Sequence, residues 1–417
     1  MQKEGINLKI LLTTVGGTLE PVRTTWQHLR PAKTYFICSQ DDPYSGKAGT
    51  YIEIGNGEDG KFAASLGLNS DQFKVIQVPA DRPDKAYRTI TALIEEIYRQ
   101  VPDASIAVDY TGGTKSMSAS LFAAAIDYPE VEVFMVTGTR TNFIKVQDGT
   151  HQTYKVAANS VYMEREVRLA LKHWENYDYE AAGRRLQQLI EGRNISDIEI
   201  NVYHAKQISV AFGFWDRFQY EQAFEALQPF AGALDFVPSY TEQVSGILDK
   251  AEAGRRDYLR IWDLWFNALR RAKGARYDDA VARLYRLLEA TAQWHLQYTH
   301  KIFTGKVMAS QLPRGFRPVD GEEPLKLGLF EAWRLLRQID EGPLAQWIAD
   351  EENRLRRYLT IRNDSYLAHG QRPILEEQWR EWREWLEQSF LPVLETQGRQ
   401  QHIKKVPRQL PDAWQKL

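Results

Sequence analysis

One cysteine, Cys38, is all the thiol chemistry that this 417-residue sequence holds. An internal disulfide is excluded, and the usage fits a reducing compartment, so a cytoplasmic protein is expected. Long hydrophobic runs are missing as well: no stretch approaches the roughly 18 apolar residues that a spanning helix needs. The opening M-Q-K-E-G-I-N-L-K-I lacks the apolar core of a secretory signal, so no membrane association is expected. Charge of one sign is scarce too. Lys and Arg number 53 against 55 Asp and Glu, a net of −2, which excludes wholesale coating of duplex nucleic acid by phosphate neutralisation. Any nucleic-acid contact must then be a local patch in a cleft. The eight histidines are scattered, with no H-E-x-x-H and no paired Cys, so no metal ligands are expected. Tryptophan is nearly absent from the first 160 residues, which hold only Trp26 of the 12. What remains is globular: 43% hydrophobic and 12% aromatic residues exclude disorder, and the length gives room for two or three domains.

The tryptophan shift marks a boundary, and the hydrophobic period changes with it. Before it, Leu8–Thr13, Thr34–Cys38, Phe73–Val78, Ser105–Asp109 and Val131–Val136 read as short strands bounded by Gly, Pro or Asp. Asp84–Val101 and Thr114–Tyr128 read as helices, the second apolar nearly all round. Alternating strands and helices predict a parallel sheet covered on both faces. Asn142–Val146 and Gln152–Val156, either side of Asp148-Gly149, predict a terminal hairpin.

Two strands run into loops of like chemistry: Thr13-Thr14-Val15-Gly16-Gly17-Thr18 after the first and Asp109-Tyr110-Thr111-Gly112-Gly113-Thr114-Lys115-Ser116 after the fourth. In a sheet of order 3-2-1-4-5 those strands are neighbours, and their loops line the crevice where such folds bind ligands. Glycine lets backbone N–H groups approach closely, and the following helix N-terminus favours phosphate. Thr111, Thr114, Ser116 and Lys115 add hydroxyls and a cation, so a phosphate- or ribose-rich ligand is expected. Arg140 after the fifth strand and Gln40-Asp41-Asp42 after the second reach the same edge. Neither a P-loop nor G-x-G-x-x-G occurs, which disfavours a nucleotide-dependent enzyme acting in that crevice.

From residue 160 onward the pattern is helical: Ser160–His173, Tyr179–Glu191, Tyr203–Ala211, Gln219–Leu227, Val244–Lys273, Asp278–Tyr298, Leu325–Ile339, Leu344–Leu367 and Leu375–Leu394. Three helices share an aromatic–acid–alanine opening, at Tyr179, Tyr220 and Tyr277, at uneven spacing, which predicts repeated helix-hairpin chemistry without a regular solenoid. The stripe Trp379, Trp382, Leu386 and Phe390 predicts core or dimer packing. Residues 301–324 read as the longest loop of this half.

Within Ile361–Gly370 (I-R-N-D-S-Y-L-A-H-G), Arg362 and His369 are seven residues apart. If the segment is helical, they share a face with Leu355, Tyr358, Leu359 and Tyr366, and Gly370 is the stop. Arg23/His28 and Arg168/His173 are five apart, about 140° round a helix, and would not share one. The plain alternative is a helix end with a histidine near its dipole and a solvated arginine.

The G-G-T after the first strand and D-Y-T-G-G-T-K-S after the fourth resemble the CARF domain. The helical half with R-N-D-S-Y-L-A-H resembles HEPN. Together the chain is similar to the CARF–HEPN accessory ribonucleases of type III CRISPR systems, of the Csm/Csx type. The resemblance implies an α/β plus all-α protein: a Rossmann-like CARF domain over residues 1–158, a helical linker over 159–250 and an all-α HEPN domain over 251–417. It implies a homodimer whose loops, Thr14, Gly16, Gly17, Thr18, Thr111, Gly112, Gly113, Thr114, Lys115, Ser116 and Arg140, hold a cyclic oligoadenylate, tetra- or hexa-adenylate, as allosteric activator. No other cofactor and no stable complex with the CRISPR effector are expected. It further implies that Arg362, Asn363 and His369 cleave single-stranded RNA without a metal, by 2′-hydroxyl attack. Whether the sensor also opens its activator is left open by these residues. The competing expectation is a non-catalytic ligand-sensing regulator with a degenerate helical domain.

Overall fold

Short, almost wholly apolar strands are stable only when both faces of their sheet are covered. The computed structural model describes residues 8–55, 61–141, 145–146, 149–191, 200–316, 324–403 and 405–414. They separate into two units, Met1–Arg165 and Glu166–Leu417. In the first, β1 (Lys9–Thr14), β2 (Lys33–Ser39), β3 (Phe73–Val78), β4 (Ser105–Asp109) and β5 (Glu132–Thr137) run parallel. The ribbon β6 (Arg140–Thr141) and β7 (Lys145–Val146) follows, then β8 (Gln152–Val156). The main sheet has the order β3-β2-β1-β4-β5-β8. The side chains of β1 sort by the period of two. Ile10 and Leu12 pack with α4 (Pro83–Gln100) and α5 (Lys115–Ala125), whereas Leu11 packs with Leu29 of α1 (Glu20–Leu29). Ile54 of the short α2 (Tyr51–Ile54) and Phe62 of α3 (Lys61–Ser65) cover Phe36 and Cys38 on the α1 side.

One expectation for this unit fails. Gln152–Val156 does not form a hairpin with the residues just before it; β8 pairs antiparallel with β5, Val133 opposite Val156. The stretch 142–144 lies outside the described residues, while Lys145–Val146 pairs with Arg140–Thr141. Joining the main sheet gives β8 a full ladder of five pairs, against the two available in the ribbon.

α6 (Ala158–Leu171) spans the division, and the second unit is helical. α7 (Tyr179–Ile190), α8 (Ile200–Asp216), α9 (Tyr220–Leu227) and α10 (Val237–Leu248) surround Trp174, Phe212, Trp215 and Tyr240. α11 (Ala253–Lys273), α12 (Tyr277–Thr299), α13 (Leu329–Ile339), α14 (Pro343–Asn363), α15 (Glu376–Trp385) and α16 (Leu391–Gln400) bury a second, larger core. Among the described residues, no helix is long and apolar enough to cross a membrane. The three tyrosine openings share one connection. Tyr177, Phe218 and Ala275 all take positive φ, the next residue (Asp178, Gln219, Arg276) has ψ between 64° and 68°, and Tyr179, Tyr220 and Tyr277 begin their helices. A left-handed residue two places upstream is the local device that the aromatic–acid–alanine pattern signals.

Val244–Lys273 is not one helix. It breaks at Asp249, whose carboxylate accepts from the Ala251 N–H at 2.8 Å, an Asx turn competing with the helical ladder. Leu375–Leu394 holds a π segment, Leu386–Phe390, between α15 and α16. That widened turn accompanies a hydrogen bond from Trp347 Nε1 to Ser389 Oγ (3.2 Å), next to the stacked rings of Trp347 and Trp385. Trp382, Leu386 and Phe390 are fully buried in the core.

Candidate functional site

Thr13 of β1 lies opposite Asp109 of β4, so the two glycine loops leave the sheet as neighbours. They touch. Thr14 Oγ1 donates to the Gly112 carbonyl at 2.7 Å. A Cβ on Gly112 would sit 2.4 Å from the Thr14 carbonyl oxygen, and one on Gly16 would sit 2.8 Å from the Gly113 nitrogen. Only glycine allows that approach, and Gly113 also needs its φ of +81°.

Asp109 underpins the second loop. Its Oδ1 accepts from the Thr111 N–H (2.9 Å) and hydroxyl (2.5 Å), and its Oδ2 from the Thr25 hydroxyl (2.7 Å). Thr111 Oγ1 in turn accepts from the Val136 N–H at 2.7 Å. Burial pushes the Asp109 carboxyl up, and the Thr111 and Thr25 donors only partly oppose it. Thr114 caps α5, accepting from the Met117 N–H (3.3 Å) and donating to the Ala80 carbonyl (2.5 Å).

The hydroxyls of Thr14, Thr111 and Thr114, expected as ligand donors, are thus engaged within the protein and shape the loops. The N–H groups of Gly16, Gly17, Gly112 and Gly113 have no partner among the described residues. Beside them stand the exposed Thr18 and Lys115 and the half-buried Ser116, at the N-terminus of α5. Free amides, a helix N-terminus and an ammonium suit an anion. Arg140 opens β6 and its side chain lies outside the described residues. Gln40, Asp41 and Asp42 are exposed after β2, and Asp41 Oδ1 accepts from the Gly49 N–H.

The late arginine and histidine are placed otherwise than the helical spacing predicts. α14 ends at Asn363, and Asp364 to His369 form a compact turn. Asn363, Asp364 and Ser365 favour local hydrogen bonds over a continued helix, and the buried Ser365 pairs with Arg372 instead. The chain then folds back: the His369 N–H donates to the Asn363 carbonyl at 3.2 Å. Tyr366 leaves the expected stripe and is 63% exposed. Gly370 is no helix stop; its place requires glycine because a Cβ there would fall 1.9 Å from the Asp364 carbonyl oxygen. The Arg362 guanidinium lies 4.3 Å from the ring centroid of Tyr285 on α12 and donates to Asn363 Oδ1 at 3.1 Å. Asn363 therefore holds both neighbours, the arginine through its side chain and the histidine through its carbonyl.

Residues 251–390, which contain all three, match the family model described as the Csm6 HEPN domain. Among solved structures, Enterococcus italicus Csm6 bound to cyclic hexa-2′-fluoro-hexa-dAMP aligns over 95% of this chain and 97% of its own, with a TM-score of 0.57 at 13% identity. Part of the helical unit thus matches a Csm6-type HEPN domain, and the fold of nearly the whole chain is similar to that of Csm6. Can2 from Sulfobacillus thermosulfidooxidans in complex with cyclic tetra-adenylate aligns over 54% of this chain and 69% of its own at 15% identity, with a TM-score of 0.25 too low to support any inference. No curated protein matches the sequence.

The structure adds residues that the motifs do not mark. Thr25 and Asp109 support the glycine loops, and Tyr285 seats Arg362. The sequence reading assigns no metal ligands, yet His295, His300 and Asp340 come together in the HEPN unit. A His-x4-His spacing across the end of α12 is a signal for the first two; the aspartate, forty residues further on, carries none.

Proposed function

We propose that this chain is a cyclic-oligoadenylate-activated endoribonuclease of type III CRISPR defence, working as a homodimer on single-stranded RNA. Residues 1–158 sense the ring, 159–250 link, and 251–417 cleave. The observation that carries this reading is the tie that Asn363 makes between Arg362 and His369 at one exposed helix end. The exposed Tyr366 and Leu367 beside it are apolar surface that a second copy would cover, which supports a shared cleft. The ligand named for Enterococcus italicus Csm6, a cyclic hexanucleotide, supports the activator class. A ring of repeated phosphates suits paired sets of free glycine amides and two lysines.

Cleavage follows from these groups. The RNA 2′-oxygen bonds to the adjacent phosphorus and the bond from phosphorus to the 5′-oxygen breaks, leaving a 2′,3′-cyclic phosphate and a 5′-hydroxyl. An imidazole takes the 2′-hydroxyl proton and an imidazolium returns one to the leaving oxygen; His369 and its dimer mate provide the pair. Arg362, held by Tyr285 and Asn363, neutralises charge growing on the phosphate. The ring shifts the population toward the active arrangement if it binds that arrangement better.

A fluorogenic RNA assay with cyclic tri-, tetra- and hexa-adenylate, with and without EDTA in the reaction, tests the proposal. One ring is expected to raise cleavage, EDTA to leave it, and Arg362→Ala or His369→Ala to lower it by about 10²-fold or more. Wild-type activity in either variant discards these roles.

A further inference from the structure

Three side chains with no part in that chemistry converge at the other end of α12. His295 is 2% exposed on the last turns of the helix, His300 is its C-cap residue, and Asp340 is the C-cap residue of α13. Their ligand atoms all lie within 4.8 Å of one another. One carboxylate oxygen, Asp340 Oδ2, faces both imidazoles: it contacts His295 Nε2 and lies 3.3 Å from His300 Nε2. The other, Oδ1, is fixed by the Gly342 N–H at 2.7 Å. Thr299 Oγ1 stands 3.4 Å from His295 Nδ1 and is itself held by Gln401.

Hydrogen bonding accounts for only part of the arrangement, the contact between His295 Nε2 and Asp340 Oδ2. His300 Nε2 is buried and faces Asp340 Oδ2 at 3.3 Å without an aligned hydrogen bond. A buried polar atom short of a well-aligned bond is unfavourable, and one carboxylate oxygen between two imidazole nitrogens is a donor set that suits a cation. Two imidazoles and a carboxylate are ligands that zinc accepts, with a fourth position left to water. Ligand atoms about 2.0–2.1 Å from a tetrahedral ion stand about 3.3 Å apart; His300 and Asp340 already have that separation, while His295 must draw back from its closer contact with Asp340 Oδ2 to admit the ion. The contact at His295 Nδ1 supplies the outer bond that fixes a ligating imidazole.

We propose that His295, His300 and Asp340 form a binding site for one divalent transition-metal ion of the zinc class. The ion pins the end of α12 to the corner between α13 and α14. Its role is to stabilise that corner: ten residues, about 15 Å of helix, separate His295 from Tyr285, so the ion takes no part in the cleavage chemistry and its removal lowers stability, not the cleavage that EDTA leaves.

Full-length protein, stripped with a strong chelator and dialysed against zinc, is expected to retain about one equivalent by elemental analysis and to unfold several degrees higher than the stripped form. Cobalt in place of zinc is expected to give visible d–d absorption of a tetrahedral site. His300→Ala and Asp340→Asn, each checked for helix content, are expected to lose the ion and the rise in Tm. Folded wild type that takes up no ion, or uptake unchanged in both folded variants, overturns the site. Should both variants fail to fold, the cobalt spectrum of the wild type decides, and its absence overturns the proposal. Uptake requires neither RNA nor activator, so its outcome is independent of the ribonuclease assay.

Discussion

Gly370→Ala isolates the turn that carries His369. The added Cβ would lie 1.9 Å from the Asp364 carbonyl oxygen, 2.1 Å from its carbon and 2.4 Å from its Cα. These are backbone atoms, so no side chain can swing aside. Overpacking of this kind costs about 1–3 kcal/mol. The turn is closed by few bonds: Ala368 N–H and Gly370 N–H to the Ser365 carbonyl, His369 N–H to Asn363, and Arg372 N–H to Asp364. At about 0.5–1.5 kcal/mol each, giving up one or two relieves the strain. The turn therefore opens while the helices stay folded. Displacing the adjacent imidazole by about 1 Å is enough to lower cleavage about 10²-fold. Tm should fall by about 2–12 °C, since about 1 kcal/mol moves a domain of this size by roughly 2–4 °C. Activator-stimulated RNA cleavage, Tm and amide exchange at residues 365–370 are the measurements. A variant with wild-type cleavage and unchanged exchange would refute the close approach.

Lys115→Ala should move the activation curve to about tenfold or more higher ring concentration, with basal cleavage intact; a superimposable titration removes the lysine from the pocket. Asp109→Asn tests the buried carboxyl under the second loop. Its folded pKa is raised, so the folded state binds the proton more tightly, and stability is lost as pH rises from the unfolded value of about 3.9 through the folded one. Wild-type Tm relative to that of D109N should therefore decline across that window, and a flat difference contradicts the assignment. Trp382→Ala removes a fully buried ring stacked on Tyr358 at 5.1 Å and should cost about 3–5 kcal/mol in denaturant unfolding; a loss below about 1 kcal/mol would place the ring outside the core.

The sheet was readable because its signal is local. Five apolar strands, each ended by Gly, Pro or Asp, leave few alternatives to a doubly wound order, and adjacency of the first and fourth strands follows from it. The hidden part is non-local. Nothing in Q-T-Y-K-V says that it pairs with β5 and not with its sequence neighbour, because both partners offer a ladder and only length decides. The late motif shows a different limit. Its residues were identifiable, but their geometry was not, since seven residues of helix and a returning turn both bring Arg362 and His369 near one another. Asn363, Asp364 and Ser365 carried the warning in their weak helical preference. Threonines in the glycine loops read as ligand donors from type alone, whereas Asp109, Ala80 and Gly112, close in space, claim their hydroxyls.

The strand-free segment after α16 has a bearing on how the molecule is made. Tyr179 donates its phenolic hydrogen to the Pro411 carbonyl, 232 residues away. Gln409 accepts from Arg270 and donates to the Phe266 carbonyl, while Leu410 and Trp414 complete the cluster around Trp174. At a ribosomal rate of about 5–20 residues per second, the tyrosine waits roughly 10–50 s for its acceptor to be synthesised. Helices α7 to α10 thus emerge with an aromatic core that stays open to solvent until Leu410 and Trp414 arrive.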